Sequence, residues 1–83
     1  NGHIVFGRDA QATVRYAPNT PGISGIHCEI KIKNGIPVLI DRESSHGTYF
    51  QDGRKLNPNQ PYQIQNGMVF YLATKYKSFV IQM

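Results

Sequence analysis

The sequence predicts an all-β fold, a β-sandwich of two twisted and mostly antiparallel sheets. Three observations carry that expectation. Apolar residues recur with period two along almost the whole chain. No stretch of about ten or more residues shows the amphipathic stripe of a helix. Pro, Gly and Asn punctuate the chain at short, fairly regular intervals, as the turns of a sandwich require.

Strands are expected at residues 3–6, 12–16, 28–33, 36–40, 48–50, 62–64, 68–72 and 79–83. The first is a β-branched and aromatic run that stops at Gly7. The second alternates Ala12, Val14 and Tyr16 with Thr13 and Arg15. The third and fourth form a hairpin: Cys28, Ile30 and Ile32 alternate with Glu29, Lys31 and Lys33, and Asn34 and Gly35 supply a two-residue turn with positive φ. Pairing Lys33 with Ile36 then sets the register. Ile30 comes opposite Leu39 on the core face and Lys31 opposite Val38 on the other, where lysine stems cover Val38 and Ile40. The remaining four are short apolar runs bounded by turn residues. Loops fall at 17–22, 42–47, 51–60 and Asn66–Gly67, and a sandwich gathers alternate loops at one end.

At 83 residues the chain makes a single domain, 1–83. A domain this small buries only about 60% of the surface its unfolded chain exposes. A deep catalytic cleft needs more mass, so function is expected in surface loops on a compact scaffold. No apolar run approaches the ~20 residues of a membrane span, and no signal peptide is visible. No membrane contact is expected. The chain runs from Asn1 straight into a strand, so it reads as a domain excised from a longer protein and short of a first strand. The lone cysteine, Cys28, cannot form an internal disulfide and reads as a small buried side chain in a reducing, cytoplasmic setting.

Nine Lys and Arg against five Asp and Glu leave a net charge of +4. That balance draws anionic partners without identifying them. The basic residues are scattered, with only Lys75, Tyr76 and Lys77 clustered, so the basic stripe of a nucleic-acid binder is missing.

Four segments carry more specific information. Gly7 and Arg8 end the first strand. Ser24, Gly25, Ile26 and His27 make a Ser-x-x-His pattern before the third. Asp41 is followed by Ser44, Ser45, His46, Gly47 and Thr48. Gly67 follows Ile64 and precedes the apolar strand that ends at Leu72. In this order, over nearly the whole chain, they resemble the forkhead-associated (FHA) domains, and among them a bacterial-type member.

The resemblance implies a sandwich whose loops at one edge bind a phosphothreonine peptide of a partner protein. The domain would be a monomeric interaction module with no cofactor and no catalysis. A phosphate carries a charge near −2 and strong acceptor oxygens, so its site needs a cation and short donors. Arg8 supplies a planar, bidentate cation. By resemblance the phosphopeptide site is Arg8, Ser24, Gly25, Ser45 and His46. Gly7, His27, Asp41, Ser44, Gly47 and Thr48 form its scaffold, with His27 bracing the loops, Asp41 capping a turn and Gly47 supplying a special backbone conformation. Taken alone, an arginine such as Arg8 is more often a surface residue than a ligand, and Ser24 reads as a loop terminator that bonds its own backbone.

The chain departs from the family pattern in four places. Gly25 stands where members often have Arg. His46 replaces the Asn that holds the peptide backbone. Met68 replaces an Asp. Gln51, Asp52 and Gly53 make a turn one residue longer than the usual Asn-Gly, and Asp52 is positioned to repel an anion.

Two rival readings come from other classes. Ser24, His27 and Asp41 contain the residue types of a hydrolytic triad, but no Gly-x-Ser-x-Gly elbow or oxyanion loop accompanies them. A single-stranded nucleic-acid-binding barrel would stack bases on Tyr71 or Tyr76 beside Lys75 and Lys77. A metal site has no support, since His3, His27, Cys28 and His46 lack ligand spacing.

Overall fold

The computed structural model describes residues 3–82. In chain order the strands are β1 (His3–Gly7), β2 (Val14–Arg15), β3 (Cys28–Lys33), β4 (Ile36–Asp41), β5 (Thr48–Phe50), β6 (Tyr62–Gln63), β7 (Val69–Leu72) and β8 (Ser78–Val80). A 3₁₀ turn, Lys75–Lys77, precedes β8. They make two sheets, ordered β2-β1-β3-β4-β6 and β5-β7-β8. Every pair is antiparallel except β1 with β2. Among the described residues no helix is long and apolar enough to cross a membrane.

The β3–β4 hairpin has the expected register, with Lys33 opposite Ile36, Ile30 opposite Leu39 and Lys31 opposite Val38. Asn34 and Gly35 turn the chain at φ 54° and 79°, the mirror-image turn that matches strand twist. Leu39 joins the core between the sheets. Val38 and Ile40 are also buried, so β4 is covered on both faces. Glu29, opposite Ile40, is buried there too and is paired with Arg42 at 3.1 Å and with His3. A buried carboxylate without such partners would be costly.

Several strands are shorter than expected, and in two of them an end residue spends its N–H on a turn. Ala12 donates back to the Asp9 carbonyl at 3.0 Å, which confines β2 to two residues. Met68 donates to Gln65 at 3.2 Å, so β7 begins at Val69. β6 stops at Gln63, although Ile64 N–H still reaches Pro37 at 3.1 Å. β8 occupies Ser78–Val80 in place of 79–83, and Met83 lies outside the described residues.

Phe6 is the hub of the core. Its ring meets Phe70 edge-on at 5.6 Å and Phe79 at 4.8 Å, contacts worth ~0.5–1.5 kcal/mol each beyond area burial. Leu56 pins the long 51–60 loop by its own burial and by donating to Thr48 at 2.9 Å.

Tyr16 packs beside this core against Phe79, yet its hydroxyl is buried with no hydrogen-bond partner among the described residues. Burial, with the nearby Cys28 thiol adding to it, pushes the phenol up to about 12. An unsatisfied buried hydroxyl costs ~1–3 kcal/mol. Tyr16→Phe is therefore expected to raise stability by about 1 kcal/mol in a denaturant titration, and a loss of stability would show that the hydroxyl is satisfied in solution.

Candidate functional site

Strand register brings the motifs together. Phe6 pairs with Cys28, and Cys28 with Asp41. The residues just beyond this rung are therefore neighbours at one end of the larger sheet: Gly7 and Arg8, Ser24 to His27, and the 42–47 loop. The pairing continues past the strand ends, Arg8 N–H donating to Ser24 at 3.1 Å and Asp9 N–H to Gly25 at 2.9 Å. So close is the approach that a Cβ on Gly7 would lie 2.0 Å from the Gly25 carbonyl oxygen.

These loops enclose an open cavity of about 320 Å³ whose walls include Arg8, Ser24, Gly25, Ser45 and His46. Thr20, Gly22 and Ile23 complete the wall. The sequence marks 17–22 only as a polar loop and gives no sign that it lines a site. Within it Gly22 turns the chain at φ 80°.

Arg8 is half-buried and has no carboxylate partner among the described residues. Its guanidinium is held by backbone: Nε donates to the Ile23 carbonyl and Nη1 to Pro18 at 2.6 Å. Two of its five N–H donors are used and three remain. The result is an oriented, uncompensated cation. Ser45 N–H donates to Ser24 Oγ at 2.9 Å, which occupies a lone pair and leaves the Ser24 proton for a ligand. Ser45 and the His46 ring are exposed, with side-chain donors unengaged among the described residues. Tyr49 hydroxyl donates to the His46 carbonyl at 3.1 Å and steadies that loop.

Beneath the cavity the buried polar residues tie the loops to one another. His27 Nδ1 accepts from Ser24 N–H at 3.1 Å, so Nε2 carries the proton and donates to the Gly47 carbonyl at 2.9 Å. Asp41 accepts from Ser44 N–H at 3.1 Å, Ser44 Oγ at 2.5 Å and Thr48 Oγ1 at 2.7 Å. Ser44 Oγ in turn accepts from Gly47 N–H at 3.0 Å. Gly47 sits at φ 87°, a backbone conformation that strains any other residue; an added Cβ would also press on the movable Lys55 Cε at 2.8 Å and on the Tyr49 ring at 3.1 Å.

Burial lowers the pKa of His27 and is the main cause of its shift. The unfolded chain therefore binds more protons than the native one between the two pKa values, and stability rises with pH across that window. His27→Ala is expected to cost ~1–3 kcal/mol, since Ser24 N–H loses its partner. The deficit against wild type should be fullest above about pH 6.5 and shrink as pH falls through the native pKa. Melts of both proteins from pH 7.5 to about 5 read it; a deficit that grows on acidification would contradict a neutral, buried His27.

At Gly25 nothing lies within 4 Å of an added Cβ, so its missing side chain leaves space and removes one potential cation. Met68 Sδ accepts from Gln65 N–H at 3.1 Å, a sulfur acceptor where a carboxylate would otherwise cap the turn. Asp52 caps its own turn by accepting from Arg54 N–H at 2.9 Å and lines a different depression with Arg54 and Met68, so the expected repulsion is not directed at this cavity.

Ser24, His27 and Asp41 do not assemble a triad. The His27 ring faces backbone groups of Ser24 and Gly47, and the Asp41 carboxylate takes its hydroxyl bonds from Ser44 and Thr48. Cys28 is fully buried, and burial pushes its thiol up to about 12, far from a reactive thiolate. Among the described residues no group of three His, Cys, Asp or Glu is placed to hold a metal ion. Tyr71 stacks on Tyr49 at 4.9 Å, whereas Tyr76 is 97% exposed between its lysines.

Comparison with known proteins bears on this arrangement. No curated protein sequence matches the chain. Among solved structures, one studied for phosphothreonine-dependent FHA domain interactions superposes with TM-score 0.78 at 28% identity, covering 100% of this chain and 78% of that one. The FHA domain of FhaA, complexed with the intracellular domain of another protein, gives 0.71 at 27% identity over 94% and 76%. The N-terminal FHA domain of S. cerevisiae Rad53p, bound to a phosphothreonine peptide, shares the fold with TM-score 0.73 at 22% identity, over 92% and 61%. The family model of the FHA domain matches residues 4–73. With that match spanning most of its length, the chain belongs to the FHA domain family.

Proposed function

We propose that this chain is a phosphothreonine-peptide recognition module that mediates phosphorylation-dependent association with a partner protein. The observation that carries the reading is Arg8: a half-buried guanidinium, oriented by two carbonyls and unneutralised, on the wall of a cavity rich in small hydroxyl donors. A phosphate dianion answers that charge and geometry. Solved FHA domains of the same fold hold phosphothreonine peptides.

Arg8 would take the phosphate through its free N–H groups, with the Ser24 and Ser45 hydroxyls adding donors. His46 would hold the peptide backbone in place of the family's Asn, and Gly25 contributes no cation. Recognition needs no bond to be made or broken, so the domain acts as a binder and not an enzyme. We place it in a reducing, cytoplasmic setting on account of the buried, unpaired Cys28 thiol, and as a monomer.

The test is a phosphothreonine peptide array followed by titration of matched peptides. Phosphothreonine peptides should bind and their unphosphorylated forms should not. Replacing phosphothreonine by phosphoserine should weaken binding a few-fold, since burying one methyl group is worth about 0.8 kcal/mol. Failure of every phosphopeptide on the array would sink the reading, and equal affinity for the threonine and serine forms would remove the methyl pocket from it.

A further inference from the structure

Arg8 does not line one cavity alone. Its other side forms part of a second polar depression of about 420 Å³, completed by Ala10, Arg15, Tyr16, Ala17 and Pro18. The construction follows from the parallel pairing of β1 with β2. Gly7 lies beside Arg15, and Tyr16 N–H donates to the Gly7 carbonyl at 2.8 Å, so the chain leaving β2 runs along the residue after Gly7, which is Arg8. The Pro18 carbonyl accepts from Arg8 Nη1, which ties the far wall to the same guanidinium.

The charge in this depression is uncompensated. Arg15 is exposed and, like Arg8, has neither a hydrogen bond nor an ion pair through its guanidinium among the described residues beyond the two carbonyl bonds that Arg8 makes. The acidic side chain of this part of the chain is Asp9. Its Oδ1 accepts from Gln11 N–H at 2.9 Å, and it is not on the cavity wall. Two cations thus flank a polar hollow that shares a wall with the proposed phosphate cavity. An extended peptide seated on Arg8 can reach across it within a few residues, at ~3.3 Å per residue.

We infer that the Arg15 depression is a second anion subsite, which selects phosphothreonine peptides carrying a further negative group, a carboxylate or a second phosphate, close to the phosphothreonine. It rests on the reading of the Arg8 cavity as the phosphothreonine site and extends it to the flanking sequence. Arg8 holds the obligatory phosphate. Arg15, on an exposed and flexible stem, adds a graded, salt-sensitive preference.

The experiment uses a phosphothreonine peptide with neutral flanks, a set in which one Asp is moved through the positions on either side, and the best of these with phosphoserine in place of Asp. At low salt, Asp at one favoured position should raise affinity about 2- to 5-fold, the range of an exposed ion pair. Phosphoserine there should raise it further, and the gain should fade between about 50 and 500 mM NaCl. Arg15→Gln should bind the neutral-flank peptide as wild type does while losing the Asp gain, and Arg15→Glu should turn the gain into a penalty. Phosphoserine no better than Asp identifies a carboxylate subsite and upholds the inference in that form. Neutral and acidic flanks bound equally by wild type, or an Asp gain that survives in both Arg15 variants, overturns it while leaving the Arg8 site standing. Failure of every phosphothreonine peptide overturns both.

Discussion

Arg8→Ala is expected to abolish measurable phosphopeptide binding while the domain stays folded. Truncating one member of a close, hydrogen-bonded charge pair costs ~2–5 kcal/mol, or roughly 30-fold and more in affinity. The loss falls on binding because the guanidinium has no carboxylate partner whose charge would be orphaned in the free protein. What the fold does lose is a pair of bonds to the Ile23 and Pro18 carbonyls. Water substitutes readily at the exposed Pro18 carbonyl, whereas the part-buried Ile23 carbonyl loses one hydrogen bond, so the melt should fall by no more than the ~0.5–1.5 kcal/mol of such a bond. Arg8→Lys separates charge from geometry: an ammonium keeps the charge but cannot bridge two carbonyls and a phosphate as the planar fork does, and it should recover only part of the affinity. Titration calorimetry beside a thermal melt decides the matter, and wild-type affinity in Arg8→Ala would place the ligand elsewhere.

Gly7→Ala is expected to damage fold and site together. The added Cβ would lie 2.0 Å from the Gly25 carbonyl oxygen, 2.8 Å from its carbon and 3.1 Å from the Ser24 carbonyl oxygen. All three are backbone atoms, so no rotamer relieves the overlap. β1 and the chain entering β3 must separate, at the ~1–3 kcal/mol typical of overpacking. For a domain of this size each kcal/mol lowers Tm by roughly 4–8 °C. The separation also strains the Arg8–Ser24 backbone bond and displaces both side chains from the cavity, so affinity falls with stability. Gly25→Ala is the control. Nothing lies within 4 Å of its added Cβ, and a change within ~0.5 kcal/mol is expected. A Gly7→Ala protein that melts with wild type would mean that this approach is looser in solution.

Local chemistry made parts of the molecule readable. Asn34 and Gly35 demand a positive-φ turn, a two-residue turn admits one register, and period two then assigns Ile30 and Leu39 to a common face. The cavity-lining residues were readable for a different reason. Arg8, Ser24 and Ser45 sit in short runs whose order and spacing resemble a family, and that spacing encodes which residues lie next to a strand end. Strand limits were less legible where an end residue had a competing partner. Ala12 has strand-like neighbours, yet its N–H closes a turn on Asp9.

The sequence by itself determined the two-sheet architecture, the hairpin register, and the residue types on which an anion site depends. Tertiary structure alone decided how they meet. Ser24 Oγ receives Ser45 N–H across 21 positions, and Arg8 reaches Ile23 across 15. Strand pairing made Arg15 a neighbour of Arg8, and the bonds from the Arg8 side chain to the 18–23 loop made Thr20, Gly22 and Ile23 cavity wall. The physical reason is range. Periodicity and turn preference act over a few residues and specify elements, whereas a loop site is set where Phe6, Cys28 and Asp41 align across three strands, and that alignment exists only once the sheet has formed.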